Sequence, residues 1–286
     1  MNIALLPNFE KMHTMPCIEA LCEKARALGV SLLAFDRHRD RLGGLAITLL
    51  PFDQMLEQCD LVCAIGGDAT VIHAAKHAAL CGKPTLGINA GRLGFTAGIE
   101  YGELDRIDDI VRGHYEIEDR MLLDVKLIRA EKTQRFYALN DAVISRGALS
   151  KVIDLSVRVH GKTVNDLRAD GVIVSTPTGS TAYSLSAGGP VVDPALESIA
   201  LTPICPHTLS ARTIIFGAQT QIDVQARSAQ ASDIYLTVDG EQAIGLSEND
   251  VVSVSKADIH AALINVKKEP FYERLHHKFS DGGKRP

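Results

Sequence analysis

An aspartate in a glycine turn is the first group in this sequence that could do chemistry. The run Leu61-Val62-Cys63-Ala64-Ile65 is continuously apolar, and Gly66-Gly67-Asp68-Ala69-Thr70 follows it directly. In an α/β sheet, ligands bind in the crevice at the carboxyl end of a strand, where the next helix begins. The helix start offers N–H groups and a positive dipole end, and the two glycines let the backbone come close to a phosphate chain. A carboxylate in that place repels phosphate unless it serves a metal ion or points at a hydroxyl about to attack that phosphate. The same five residues also read as a tight turn, with Asp68 capping a helix from Thr70, and on the motif alone the two readings stand level.

A second cluster runs from Arg168 to Pro190: a buried strand type, Gly171-Val172-Ile173-Val174, leads into Thr176-Pro177-Thr178-Gly179-Ser180-Thr181-Ala182-Tyr183-Ser184-Leu185-Ser186. Its hydroxyls and small residues give many neutral hydrogen-bond partners for a sugar or an amide. Any single hydroxyl there reads better as a helix cap, and the whole segment reads better as a ligand loop. Asn140-Asp141 places an amide and a carboxylate between the apolar runs Phe136 to Leu139 and Ala142 to Ile144. Polar groups in a strand cost stability unless something bonds to them. Ligand hydroxyls or an adenine amino group would do so, and a turn at the strand edge is the equal alternative.

The elements that must carry these groups fall into two styles. The first part alternates strand and helix: Asn2 to Leu6, a helix from about Pro16 to Leu28 stopped by Gly29, Val30 to Phe35, the apolar strand at 61–65, a helix from about Thr70 to Leu80, Thr85 to Ile88, and a helix from Glu103 to Arg112. A parallel sheet flanked by helices is the economical solution. After about Tyr115 the pattern becomes apolar-polar alternation, at Leu123 to Leu127, Ile153 to Val159, Ile222 to Ala226, Ile234 to Val238, Val251 to Val254 and Ala262 to Val266, with turn signals at His160-Gly161 and Asp239-Gly240. These are half-buried antiparallel strands. The expected domains are 1–115, α/β; 116–266, β-rich; and 267–286, a segment with Phe271, Tyr272 and Leu275 that packs back on the N-terminal domain and frays at Gly282-Gly283.

With 286 residues and 46% hydrophobic side chains, the chain can bury two cores. A net charge of -5 leaves no basic surface of the kind nucleic-acid or anionic-membrane binders use, so phosphates must be met locally. The six cysteines, at 17, 22, 59, 63, 81 and 205, contain no CxxC pair and read as buried reduced thiols. No run reaches membrane-spanning length and no basic leader stands at the start, so a reducing cytoplasm is the expected location.

In this order and over nearly the whole chain, the segments resemble the NAD kinases. Gly66-Gly67-Asp68-Ala69-Thr70 resembles the family's GGDGT, Asn89-Ala90-Gly91-Arg92-Leu93-Gly94-Phe95 its NxGxLGF, Asn140-Asp141 its paired asparagine and acid, and Asp170 to Pro190 its long signature DG…STPTGSTAYxxSAGGP. The last is highly specific. The glycine turn alone also fits diacylglycerol and sphingosine kinases and, more loosely, phosphofructokinases.

The resemblance implies an α/β N-terminal domain with a Rossmann-like parallel sheet, a mostly β, sandwich-like C-terminal domain, NAD between them, and a homodimer or homotetramer whose neighbours complete each site. It makes Asp68 the catalytic aspartate facing the 2′-hydroxyl of the adenosine ribose, with Gly67, Ala69 and Thr70 beside it and His73, one helical turn on, near the phosphates. Asn140 and Asp141 hold the dinucleotide, Lys151, Arg168 and Asp170 add contacts, and Thr178 with Thr181, Ala182, Tyr183, Ser184, Leu185 and Ser186 wrap it. The donor is ATP with Mg²⁺ held mainly through the nucleotide phosphates, or inorganic polyphosphate. No residue is assigned as a metal ligand.

Two positions depart from the family. Ala69 stands where a glycine is usual, so either its φ is negative or the turn stores about 1 kcal/mol or more of strain. Glu241, in Asp239-Gly240-Glu241, stands in the binding position where the family usually has glutamine, and adds a charge. Two rivals remain at this point. A lipid kinase would share the glycine turn but need a deep apolar cavity, against which the hydroxyl-rich loop argues. A dinucleotide-binding sensor without chemistry would share everything except turnover.

Overall fold

The computed structural model describes residues 1–91, 96–148, 151–208, 210–227 and 234–281, which form two compact units: Met1–Asp119 with Ala261–Pro286, and Arg120–His260. The chain passes from one to the other inside two long strands, Glu116–Arg129 and Val251–Asn265. Two of the expected strands, Val251 to Val254 and Ala262 to Val266, are thus one strand. The polar stretch between them lacks the glycine or proline that breaks a strand.

The first unit holds a parallel sheet whose strands lie in the order Thr85–Asn89, Leu61–Gly66, Asn2–Pro7, Ser31–Phe35, Thr48–Leu50. The end of Val251–Asn265 adds to it beside Thr85–Asn89, pairing Leu263 with Thr85. Leu61, Cys63 and Ile65 face a core containing Cys17, Ile18 and Leu21 of the helix Thr14–Leu28. Val62 and Ala64 face a second core containing Met55, Leu56, Val71 and Ala74. Burial on both faces is why the strand reads as an unbroken apolar run. Gly29 ends the first helix in the left-handed conformation, φ 66°. The helix expected from Glu103 to Arg112 is two pieces, a 3-10 turn Tyr101–Arg106 and an α-helix Ile107–Val111, with Glu103 out of helical conformation because its side chain accepts from the Glu100 N–H.

The second unit is a sandwich. One antiparallel sheet orders Ile214–Gly217, Ser198–Ile204, Gly171–Ser175, Asp141–Arg146, Ile234–Val238 and Ile244–Gly245. The other joins Lys162–Ala169, Ile153–Val159, Ile222–Arg227 and Val251–Asn265. Glu116–Arg129 and Lys132–Ala138 extend it. Leu155, Val157 and Val224 of one sheet and Ile144, Val172, Val174 and Leu236 of the other share one core. Both expected turns, His160-Gly161 and Asp239-Gly240, have positive φ at both residues, the twist that two-residue hairpins favour.

Four cysteines are buried as expected, but Cys81 and Cys205 are exposed, because each lies just past the end of its helix or strand. Gly282-Gly283 falls outside the described residues. The helix Phe271–Asp281 turns Phe271, Arg274, Leu275 and Lys278 inward, whereas Tyr272 is 65% exposed. Arg274 donates to both carboxylate oxygens of Glu118, at 2.7 and 2.9 Å, and Asn265 donates to the same carboxylate at 2.7 Å. This pins the helix to the unit that carries the glycine turn. Replacing Arg274 with alanine removes the helix's bonds to both Glu118 oxygens while the Asn265 bond stays, and the expected cost is about 1–2 kcal/mol of local opening. Hydrogen exchange should then quicken roughly tenfold for the amides of 271–281 while strands of the second unit keep their rates.

Candidate functional site

The strand order of the first unit reverses between Asn2–Pro7 and Leu61–Gly66: strands that follow in sequence lie first on one side of Asn2–Pro7, then on the other. Such a reversal opens a crevice at the carboxyl ends of the two strands. A cavity of about 330 Å³ lies there, lined by Leu6, Pro7, Phe35, Arg37, His38, Phe52, Thr70, His73 and His77. The Arg37 guanidinium stacks over the Phe35 ring at 4.9 Å, and His77 meets Phe52 and His73 edge-on at 5.0 and 4.6 Å. Burial and the nearby charges of Arg37 and Arg41 lower the His38 pKa. The lining thus combines flat rings with a guanidinium and imidazoles.

The helix after the glycine turn starts at Asp68, two residues earlier than its sequence pattern suggests, and Gly67 is its N-cap through backbone alone. The Asp68 side chain does not cap it. Oδ1 instead accepts from the Thr96 N–H at 3.1 Å and the Thr96 hydroxyl at 2.6 Å, and Oδ2 lies 3.5 Å from the Lys278 ammonium. The capping reading of Asp68 therefore falls. Ala69 lies in the first helical turn, exposed and without positive φ, so the alanine stores no strain. A methyl group on Gly66 would run into the Thr70 side chain, so the fold itself requires that glycine. One on Gly67 would meet nothing within 4 Å, so no contact among the described residues demands the second. Of the Asn89 to Phe95 motif, Asn89 binds Glu100 at 2.8 Å and receives the Gly91 N–H at 3.0 Å; Arg92 to Phe95 lie outside the described residues.

In the second unit, three turns converge at one end of the sheet. The Thr176 N–H donates to the Asn140 carbonyl at 2.9 Å, its hydroxyl to the Leu139 carbonyl at 2.6 Å, and Gly179 presses so closely on the Asn140 backbone that a β-carbon would collide with it. The third turn brings Asp239, whose carboxylate accepts from the N–H groups of Leu139, Asn140 and Asp141 at 2.9, 2.8 and 3.0 Å. Glu241 follows it, exposed. In the hydroxyl-rich loop the protein itself uses Ser180, which bonds Pro177 and Val192, and Ser184, which is fully buried against Thr202 at 2.9 Å. Thr178 is buried beside Arg120, at 3.5 Å. Thr181, Ala182 and Leu185 are half-buried, and Tyr183 and Ser186 are exposed.

Asp170, Arg168 and Lys151 sit elsewhere. Gly171 pairs with Ser145 and Ser175 with Asp141, so the Asp170 end of these strands lies roughly 15 Å from the Asp141 end. There Asp170 binds Arg146 at 2.6 Å, while Arg168 binds Asp154 at 3.1 Å on a face where both side chains are about two-thirds exposed. Lys151 is exposed just before the strand that pairs with Lys162–Ala169. Thr96, Lys278, Arg146 and the carboxylate of Asp239 are contributions that sequence reasoning missed. Only Asp239 carried a signal, its place in the Asp-Gly-Glu turn. Among the described residues, no group of three or more His, Cys, Asp or Glu side chains is arranged to hold a metal ion.

Asp141 is the most perturbed of these groups. It is 5% exposed, and no hydrogen bond from the described residues reaches its carboxylate. Burial, and secondarily the negative charge of Asp239, push its pKa up to about 7. The native chain thus keeps this proton at pH values where the unfolded chain, with an ordinary carboxyl near 3.8, has lost it. The stability tied to the neutral form is complete below the unfolded value and disappears as pH rises to about 7. Asp141→Asn is therefore expected to be more stable than the parent at pH 8, by up to about 4 kcal/mol, with the gap closing toward pH 4. Urea unfolding across that range measures it, and a gap independent of pH would contradict the burial argument.

Comparison with known proteins bears on both units. A model of the ATP-NAD kinase N-terminal domain matches residues 17–115, and one of the ATP-NAD kinase C-terminal domain matches residues 139–266. A protein named NAD kinase from Carboxydothermus hydrogenoformans is 37% identical over 271 residues, covering 93% of this chain and 95% of that one. One of the same name from Symbiobacterium thermophilum is 39% identical over 279 residues, covering 97% and 98%. Among solved structures, yeast NADH kinase complexed with NADH superposes with a TM-score of 0.90 at 22% identity, covering 100% of this chain and 89% of that one. An NAD kinase from Archaeoglobus fulgidus in complex with ATP gives 0.77 at 24% identity, covering 98% of each. At those identities the two structures speak for the fold.

Proposed function

The chain belongs to the ATP-NAD kinase family, and on that premise we propose that it moves the terminal phosphoryl group of ATP onto the 2′-hydroxyl of the adenosine ribose of NAD, making NADP. The observation that carries the chemistry is Asp68. Its carboxylate sits at a helix start without capping it and is held from outside the turn by Thr96 and Lys278. A carboxylate placed so serves a hydroxyl better than it serves the helix.

Phosphoryl transfer passes through a loose transition state, so the protein's work is alignment and charge neutralisation. The ribose 2′-oxygen forms a bond to the γ-phosphorus as the bond to the β-phosphate oxygen breaks. ADP leaves with that oxygen, and the hydroxyl proton passes late to Asp68. Thr96 holds Oδ1, which keeps the carboxylate's orientation fixed during the step. The N–H groups of Gly67 and Ala69 face the donor phosphates, with the Thr70 side chain beside them and His73 one turn on; the Thr70 N–H is already given to the Gly67 carbonyl. Mg²⁺ arrives as part of the Mg–ATP substrate and neutralises phosphate charge.

The cavity at the strand-order reversal receives the donor, with Phe35 and Phe52 as flat surfaces for a base and Arg37 and His73 as phosphate partners. Asn140, Asp141, Thr178, the loop Thr181 to Ser186 and Glu241 take the adenosine half of NAD. The buried carboxyl of Asp141, which no hydrogen bond from the described residues reaches, supports this, since an adenine amino group or a ribose hydroxyl would supply a partner. The exposed Lys151 and Arg168, with Asp170, serve the site of a neighbouring copy in a homodimer or homotetramer. The chain works in a reducing cytoplasm, where its thiols stay unpaired.

The test is an assay with Mg²⁺, NAD and either ATP or polyphosphate, read as NADP formed. Asp68→Asn should fold and bind NAD as the parent does, yet lose turnover by about a thousandfold. Near-normal kcat in that variant removes Asp68 from the mechanism, and NAD binding without product in the parent turns the assignment toward a sensor. Arg37→Ala and His73→Ala should raise KM for ATP by roughly three- to tenfold with little change in KM for NAD.

A further inference from the structure

The helix Phe271–Asp281 belongs to no motif of the sequence, yet it reaches the catalytic turn. Arg274 and Lys278 lie four residues apart on one face of it. Arg274 is fastened to Glu118 by two bonds, and that anchor sets Lys278 3.5 Å from Oδ2 of Asp68. We infer that Lys278 is a positioning residue for phosphoryl transfer: its ammonium holds the Asp68 carboxylate and offsets its charge so that an anionic triphosphate can share the turn with it. The inference rests on the assignment of Asp68 made above.

Three observations carry it. First, the two side chains are each about one-third exposed, at 33% and 31%, so the pair adds little to stability, and its place beside the glycine turn needs another reason. Second, the two oxygens of Asp68 are held differently. Oδ1 takes both Thr96 donors at close range, whereas Oδ2 has a longer contact with a flexible ammonium. The longer Lys278 contact is thus the one that can lengthen as a ribose hydroxyl arrives, while the lysine swings toward phosphate. Third, a helix N-terminus attracts one anion readily, and here two must meet, the carboxylate and the triphosphate. Two like charges brought together at one helix start repel each other. A cation between them turns that repulsion into attraction.

Lysine suits this task better than a rigid fork would, because its compact charge rides on a four-carbon stem that can follow the phosphate. The expected behaviour separates positioning from structure. Lys278→Met should lower kcat by about ten- to a hundredfold and raise KM for ATP, leaving KM for NAD within about twofold. Lys278→Arg should recover most of the loss, and His276→Gln, exposed on the same helix, should leave the kinetics unchanged. Melting temperatures of all three should match the parent. With Asp68→Asn measured alongside, the outcomes divide cleanly. If Asp68→Asn keeps its turnover, the assignment of the aspartate fails. If Asp68→Asn is inactive while Lys278→Met keeps kcat within twofold, the role of the lysine fails. A Lys278→Met defect that arginine does not rescue and that tracks a lower melting temperature also overturns it, in favour of a purely structural contact.

Discussion

In the mechanism proposed above a carboxylate stands where a triphosphate would have to arrive, and the surroundings of Asp68 answer that conflict. Left alone, Asp68 would occupy the positive end of its own helix and repel the donor. Gly67 closes the helix start with backbone only, which frees the side chain. Thr96 then draws Oδ1 away from the turn, and Lys278 faces Oδ2. None of this would hold on a mobile turn. The strand Leu61–Gly66 is buried on both faces, and the lysine is delivered by a helix pinned through Arg274 to Glu118, so both sides of the pair start from rigid ground.

The second unit keeps a different tension. Asp239 closes the turn at 139–141 with three backbone N–H bonds, and in doing so places its negative charge near Asp141, which is buried. Burial and like charge both oppose ionisation of Asp141, so the free protein carries a group that costs it stability at neutral pH. Groups perturbed in this way gather at binding sites, because the energy withheld from folding is available when a partner arrives. The surrounding loop shows the complementary choice. Thr176, Ser180, Thr181 and Ser184 spend their hydroxyls on the protein, which fixes the backbone and leaves Tyr183 and Ser186 toward the solvent side.

What could be read in the sequence was whatever depends on local pattern. The apolar run at 61–65 announced a doubly buried strand, Gly29 a helix stop, and the alternation at 153–159 a sandwich strand with the stated ends. The glycine turn and the Asn140 to Ser186 segments pointed to the regions that carry the buried and perturbed groups. What could not be read depends on contacts across long separations. Thr96 lies 28 residues from Asp68, and Lys278 comes from the other end of the chain. Asp239 reads locally as a hairpin turn, which it is, while its carboxylate acts about a hundred residues away. No periodicity encodes such pairings, nor does it show that Asp170 and Asp141 lie at opposite ends of one strand pair.

Ala69 shows how position decides what a substitution means. In a turn with positive φ, alanine for glycine would store strain and weaken the site. Here the helix already starts at Asp68, so the residue has helical backbone and alanine is the better helix former by about 1 kcal/mol. Of the two glycines in the turn, Gly67 is the one where a methyl group would meet nothing within 4 Å among the described residues. In the proposed mechanism, close approach of phosphate to the backbone would then use residue 67, one step before the carboxylate, and residue 69 can favour the helix.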